Sequence, residues 1–270
     1  MGNKKVAAAG RKQIYVETLI GASLEEVWDL SQNPEQHPRW DLRFSSIVPV
    51  STDDQKVTHF RYAFNLPFYT IAGMGVSLGH RFRADGQATS VLKFSTANPL
   101  SPIRKGSGYW RYIPTDRGTR FITGYTYDPG MGLVGRLLDS GFIRPALVWA
   151  TAVSFDRLRL WAEAGQDPAM ARTRWILDGV ARTAALIGAA TSLRRALFQP
   201  CRHRILHLAF SSAAIAAVTL LPAHQTVPRA RRCLRRPLVK EGASAPPTLV
   251  TLPTPLGIPS KYGQMKENRA

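Results

Sequence analysis

The chain has 270 residues, 44% of them hydrophobic, and a formal net charge of +18. That length and apolar content provide for one large domain or two ordinary ones with a real core, and exclude disorder throughout. The charge is uneven: residues 1–165 hold 20 Lys/Arg against 14 Asp/Glu, while residues 166–270 hold 16 against 4. An excess of that kind in the second half points to an anionic partner surface, phospholipid headgroups or nucleic acid, beside a first half of ordinary soluble character. Nucleic acid is disfavoured, because no zinc-finger spacing, aromatic-interleaved basic stripe or helix-turn-helix pattern occurs.

In chain order, residues 1–11 read as a disordered N-terminus with only a four-residue apolar patch before Gly10 and Arg11, too short for a signal-peptide core. Met1-Gly2 is followed at position six by Val6, which does not fit a myristoylation site. Gln13 to Ile20 alternates Ile14, Val16, Thr18 and Ile20 against Tyr15, Glu17 and Leu19, the period of a strand with one buried face. Ser23-Leu-Glu-Glu26 reads as a capping box opening a helix with Leu24, Val27, Trp28 and Leu30 on its apolar side, ended by Asn33-Pro34. Pro34 to Trp40 holds two prolines, compatible with one short helical turn.

Six β-rich segments follow: 42–50, 56–65, 68–85, 88–96, 108–115 and 119–128. Asp53-Asp54, Asp85-Gly86, Asn98-Pro99 and Asp116-Arg-Gly118 supply turn chemistry at hairpin spacing, so an antiparallel sheet is expected. After Pro129-Gly130 a long, mostly buried helix runs from Leu133 to Trp161, with Pro145 as a kink or break. Strand, helix, short helix, about six strands and a long helix make an α+β protein.

This order, with Val-Trp-Asp-Leu at 27–30 and Asn-Pro-Glu-Gln-His-Pro-Arg-Trp-Asp at 33–41, resembles the SRPBCC superfamily over residues 12–163. That group has a START-like, helix-grip fold and includes polyketide cyclases/dehydrases and lipid-transport domains. The resemblance implies a curved sheet of about seven strands over a long C-terminal helix. Between them it implies a cavity for an apolar small molecule, lipid or polyketide-like. Binding, sequestration or transfer is the first functional expectation, and a cyclase/aromatase or dehydratase the alternative.

Strand alternation supplies a candidate lining. Val76, Leu78, His80 and Phe82 form the apolar register of the third β-rich segment, and Leu92 and Phe94 that of the fourth; Phe142, Trp149 and Val153 share a helix face. Each of these also fits plain core. His80 is the one titratable group expected inside, as a general base, a partner for a ligand hydroxyl or a satisfied structural histidine. His37, between prolines, and His59 are weaker candidates. At 109–112 either Tyr109 with Arg111 or Trp110 with Tyr112 faces the cavity, and both registers stay open. Tyr125 shares a face with Phe121, Thr123 and Tyr127. His80, Tyr125 and Arg111 are therefore the catalytic candidates. No phosphate loop, nucleophile elbow, metal-ligand spacing or dinucleotide fingerprint occurs, so neither cofactor nor metal is expected. Cys201 and Cys233 form no disulfide framework or zinc site, which suits a reduced, cytoplasmic setting.

Residues 164–224 should be helical, with Asp167 as N-cap and Pro168 at the first helical position. The 17-residue stretch Ile205 to Leu221 is uncharged and at the lower limit for crossing a bilayer, or is a buried soluble helix. Flanking arginines suit anionic lipid, with the more basic C-terminal side cytoplasmic, so membrane association through residues 168–224 is an expectation. Some SRPBCC-like proteins continue into a DoxX-like helical membrane domain, and two helices here would be a remnant of it. Residues 225–270 read as a basic, Pro-rich disordered tail.

Overall fold

The computed structural model describes residues 13–81, 83–198, 203–238 and 242–255. They fall into two compact units, one made of the chain up to Gly165 together with the chain from Arg229 onward, the other of Gln166–Pro228.

The first unit is an α+β helix-grip fold. Its seven strands are β1 (Ile14–Ile20), β2 (Ser46–Thr52), β3 (Thr58–Leu66), β4 (Tyr69–His80), β5 (Ala88–Ser95), β6 (Ile103–Thr115) and β7 (Gly118–Pro129). They form one antiparallel, curved sheet in the order β1-β7-β6-β5-β4-β3-β2. β2 to β7 is a meander, as the turn chemistry anticipated. The chain must cross the whole sheet between β1 and β2, and α1 (Leu24–Gln32) and α2 (His37–Trp40) make that crossing. The Ser23 cap is formed, its Oγ accepting from the Glu26 N–H at 3.2 Å.

The long helix arrives in pieces: α3 (Gly132–Leu138), a π-helical turn (Asp139–Ile143) and α4 (Arg144–Ala164), with Pro145 directly after the π-helical turn, in the first turn of α4. α4 packs on the inner face of the sheet. Trp40, Phe121, Phe155, Leu158 and Tyr112 are fully buried there, together with β1 residues Ile14, Val16 and Ile20. Arg157 of α4 holds the α2 turn from below by donating to the carbonyls of Trp40 (2.9 Å) and Arg39 (2.6 Å).

The outer face is also covered, by a segment that the sequence placed in a disordered tail. Leu234 forms a reciprocal backbone bridge with Glu17 on the free edge of β1 (2.9 and 2.8 Å). Ala243, Leu249 and Leu252 lie on a second apolar cluster of Tyr15, Val57, Val76, Val91, Tyr109, Ile113 and Ile122. The segment is tied down by the Tyr109 hydroxyl donating to the Ala243 carbonyl (2.7 Å), Arg111 to Ser244 (3.1 Å), and Lys93 to Leu252. The physical reason is the sheet's own composition: with Val, Ile and Tyr on both faces, leaving one bare would expose a contiguous apolar patch. Cys233 is buried and donates to the Ala152 carbonyl at 3.3 Å, and burial pushes its thiol up to about 12.

The second unit is a helical hairpin of α5 (Pro168–Phe198) and α6 (Arg204–Leu220). Asp167 caps α5, its Oδ1 accepting from the N–H of Ala169 at 2.7 Å. By length and composition α5 is long and apolar enough to cross a membrane; α6 is shorter.

Candidate functional site

A cavity of about 710 Å³ lies between the inner face of the sheet, the loop around α2 and the first half of α4. Its existence follows from an alternation of large and small residues across the strands. The row Phe60, Gly75, Phe94, Gly106, Tyr127 runs through paired positions of β3 to β7. A Cβ on Gly75 would lie 2.2 Å from the Phe60 ring, and one on Gly106 2.3 Å from that of Phe94. The rings thus lie down over the glycines instead of filling the space above the sheet. In β4 the inward positions are Ile71, Gly73, Gly75, Ser77 and Gly79, and so little side-chain volume leaves the room.

Phe60, Tyr62, Phe64, Ile71, Leu92, Phe94, Trp110 and, from α4, Ala146, Leu147 and Ala150 make the lining mostly apolar. Phe142 also lines it while remaining exposed, so it marks an opening to solvent. Desolvation by these neighbours pushes the Tyr62 phenol up to about 12.

One polar cluster interrupts this wall. Arg43 donates to both oxygens of the buried Asp41 carboxylate, from Nε at 2.9 Å and from Nη2 at 2.6 Å. The His37 Nε2 lies 3.1 Å from Asp41 Oδ2 and its ring is stacked on Trp40, 4.9 Å between centroids and 6° from parallel. A carboxylate accepts only, so this contact makes Nε2 the protonated nitrogen and leaves Nδ1 with a lone pair. The Arg43 guanidinium and the His37 hydrogen bond hold the Asp41 carboxyl far below the usual carboxylate range, outweighing its desolvation. Burial holds the His37 imidazole below its ordinary value, against the raising influence of Asp41. At neutral pH the cluster is therefore Arg⁺, Asp⁻ and neutral His. Arg43 also sits over the Tyr125 ring at 5.6 Å, and the Tyr125 hydroxyl is 3.1 Å from Thr151 Oγ1 of α4. α4 braces the loop: Ser154 Oγ accepts from the Leu42 N–H at 2.9 Å.

Of the residues singled out from sequence, Leu92, Phe94, Tyr125 and Phe142 line the cavity. Val76, Leu78 and Tyr109 stand on the opposite, outer face, against the returning segment. Arg111 is there too, donating to the Ser244 carbonyl, which decides the open register in favour of Trp110 and Tyr112 facing inward. His80 ends β4 in the same outward register as Val76 and is exposed; Phe82 lies outside the described residues. Val153 is a core residue of α4, and Trp149 is exposed and outside the cavity wall. In β4 alternation alone points to the wrong side, because from Gly73 to Gly79 the inward residues are glycines and a serine, while Val76 and Leu78 serve the second cluster. Sequence reasoning ranks His37 below His80 and singles out neither Asp41 nor Arg43 as a site residue. The signal was the Asn33 to Asp41 stretch itself, whose two prolines turn the loop so that its polar groups meet.

No family model matches the chain. Over 160 residues it is 41% identical to the uncharacterized membrane protein YndG of Bacillus subtilis (strain 168), a match covering 58% of this chain and 60% of that protein. The chain thus spans about 60% of the length of the curated relative it matches. Among solved structures it is similar to a STAR-related lipid transfer protein from Xanthomonas axonopodis, at 15% identity and TM-score 0.45, covering 57% of this chain and 88% of that one. It is also similar to the Zhui aromatase/cyclase from Streptomyces sp. R1128, at 10% identity and TM-score 0.43, covering 58% and 99%. For human StAR-related lipid transfer protein 5 the values are 17% and 0.41, covering 58% and 88%.

Proposed function

We propose that the first unit binds, and sequesters or transfers, an apolar small molecule in this cavity, and that the chain does so at a membrane. The observation that carries the reading is the cavity: about 710 Å³, within the range of small-molecule sites, walled by aromatic and aliphatic side chains, with polar groups gathered around Arg43. Because Asp41 balances Arg43 and His37 is neutral, the cluster carries no net charge. It suits an uncharged polar end, a hydroxyl or a carbonyl, better than a carboxylate or an amine. The resemblance of residues 12–163 to lipid- and polyketide-handling domains supports the same reading, and the name of the Bacillus subtilis relative supports the membrane setting. Native mass spectrometry and solvent extraction of the purified full-length chain should recover a co-purified apolar molecule. A cavity from which none is recovered, and which takes up no added lipid, would overturn the reading.

One observation favours a second reading, a cyclase, aromatase or dehydratase-type enzyme. His37, oriented by Asp41, presents an unprotonated nitrogen in a desolvated site beside Arg43 and Tyr125, which supplies a base and polarising donors within one wall. On that reading His37→Gln and Tyr125→Phe each reduce turnover of a polyketide-like substrate by about 10²-fold or more. Unchanged rates in both would remove it.

A further inference from the structure

The helical hairpin is built inside out for a soluble protein. The seam between α5 and α6 holds its small and polar residues: Ser211 Oγ donates to the Ala189 carbonyl at 2.9 Å, and Ser192 Oγ lies 2.8 Å from His207 Nδ1. A Cβ on Gly188 would meet only the Phe210 ring, at 3.7 Å. Large apolar side chains point away from the seam, among them Leu177, Val180, Ile187, Leu206 and Leu220, all at least 60% exposed. In water the large side chains would fill the seam; small residues and hydrogen bonds inside, with aliphatics outside, is the order that lipid favours.

The placement of charge separates a helix that crosses a bilayer from one that lies on it. Counting about 100° per residue from Ile176, Arg172, Arg174, Arg182, Arg194 and Arg195 fall at roughly 320°, 160°, 240°, 0° and 100°. They share no face, so α5 has no polar side to turn toward headgroups. They are sorted along the axis instead: Arg172 and Arg174 near the start of α5, Arg182 at its midpoint and level with the end of α6, and Arg194, Arg195 and Arg204 at the tip. Arg182 is paired with Asp178 at 2.9 Å and donates to the last carbonyls of α6, Val218 at 2.7 Å and Leu221 at 3.0 Å, which leaves neither its charge nor those acceptors bare. From Arg174 to Arg194 α5 covers roughly 30 Å between Cα atoms, about the thickness of a hydrocarbon core, with Arg182 and Asp178 paired inside that stretch. α6 contributes about 25 Å.

The chain leaves the first unit at Gly165, the left-handed cap of α4, and re-enters at Arg229, whose N–H donates to Asp156 of the same helix at 2.7 Å. The chain thus leaves and re-enters the same unit. We infer that α5 and α6 cross a lipid bilayer together as a hairpin, with the first unit and both flanking segments on one side and the arginines of the tip among the headgroups of the other. Arg172, Arg174 and the run from Arg229 to Arg236 outnumber the tip arginines, which puts the first unit on the cytoplasmic side. The inference rests on the membrane setting proposed above and gives it a topology.

The test uses the full-length chain in bacterial membranes and two thiols. Cys201 lies between α5 and α6 in the sequence, and an Ala84→Cys substitution marks an exposed turn of the first unit; Cys233 is buried and silent. The protein should stay in the membrane through high-salt and alkaline-carbonate washes. In sealed inverted vesicles an impermeant maleimide should label the Ala84→Cys thiol, and should label Cys201 only after detergent. Release by salt would mean surface attachment by charge, labelling of both thiols from one side would mean a hairpin held in one leaflet, and a soluble homodimer would mean that a second copy covers the apolar faces. Each result overturns the hairpin topology. Recovery of an apolar molecule from the cavity is a separate readout, so loss of the topology and loss of the binding function are distinguishable.

Discussion

Val91 and Leu92 are adjacent in β5 and live in different environments. Val91 is 1% exposed, paired between Leu78 and Tyr109 in the cluster that the segment returning from the far end of the chain covers; Leu92 stands between Ser77 and Gly108 and looks into the cavity. The outer face of the sheet is packed because the chain covers it, and the inner face is hollow because glycines and serines sit where bulk would close it. The two faces divide the work: one holds the sheet together, the other keeps it open.

The sharpest way to break this contrast is to truncate a large ring on each face. Tyr109→Ala removes a fully buried side chain from the outer cluster along with its hydrogen bond to the Ala243 carbonyl, and should destabilise the first unit by about 3–5 kcal/mol in urea denaturation of the full-length chain. Phe94→Ala takes a half-buried ring from a wall that already faces empty space, and should cost less than about half of that. Equal losses would show that the inner wall is ordinary core and the cavity closed.

Enlarging the two neighbours tests the same contrast with a smaller effect. Val91→Trp overpacks the outer cluster and should cost about 1–3 kcal/mol while the bound molecule is retained. Leu92→Trp should fit into the cavity at less than about 1.5 kcal/mol and displace the molecule, seen as its loss from native mass spectra. If Val91→Trp is the variant that empties the cavity, the two faces have been assigned the wrong way round.

The architecture was legible because it rests on signals that act locally. The Ser23 cap, Asn33-Pro34, the turn residues and Pro145 each specify the backbone where they stand, and the element order they produce is the one observed. The cavity wall was only partly legible. Leu92 and Phe94 alternate with Lys93 and Ser95, and Tyr125 with Gly124 and Thr126, so their side of the strand could be read; in β4, Val76 and Leu78 are apolar for the sake of the outer cluster. Which face an alternating strand shows to the cavity depends on what covers the other, and here the cover is Ala243 to Leu252, over 100 residues further along the chain and so Pro-rich that it reads as tail. His37 was hidden for a related reason: its partners Asp41 and Trp40 are near in sequence, but its burial comes from Trp110 and the cavity wall.

The last and smallest effect concerns that histidine and belongs to the inner face alone. Burial holds the folded His37 pKa below its ordinary value near 6.5, so between those two values the unfolded chain binds more protons than the folded one. The stability contributed by a neutral His37 is complete above about pH 6.5 and is lost progressively as pH falls toward the folded value. Asp41, also depressed, adds its own loss only in the acid range below about pH 4, so it leaves this window undisturbed. Urea midpoints of the full-length chain measured from about pH 7.5 down to 5 should therefore decline with a slope of no more than about 1.4 kcal/mol per pH unit. His37→Gln keeps a donor for the Asp41 carboxylate without a titrating ring and should flatten that slope. A slope that persists unchanged in His37→Gln would show that the His37 imidazole does not carry it.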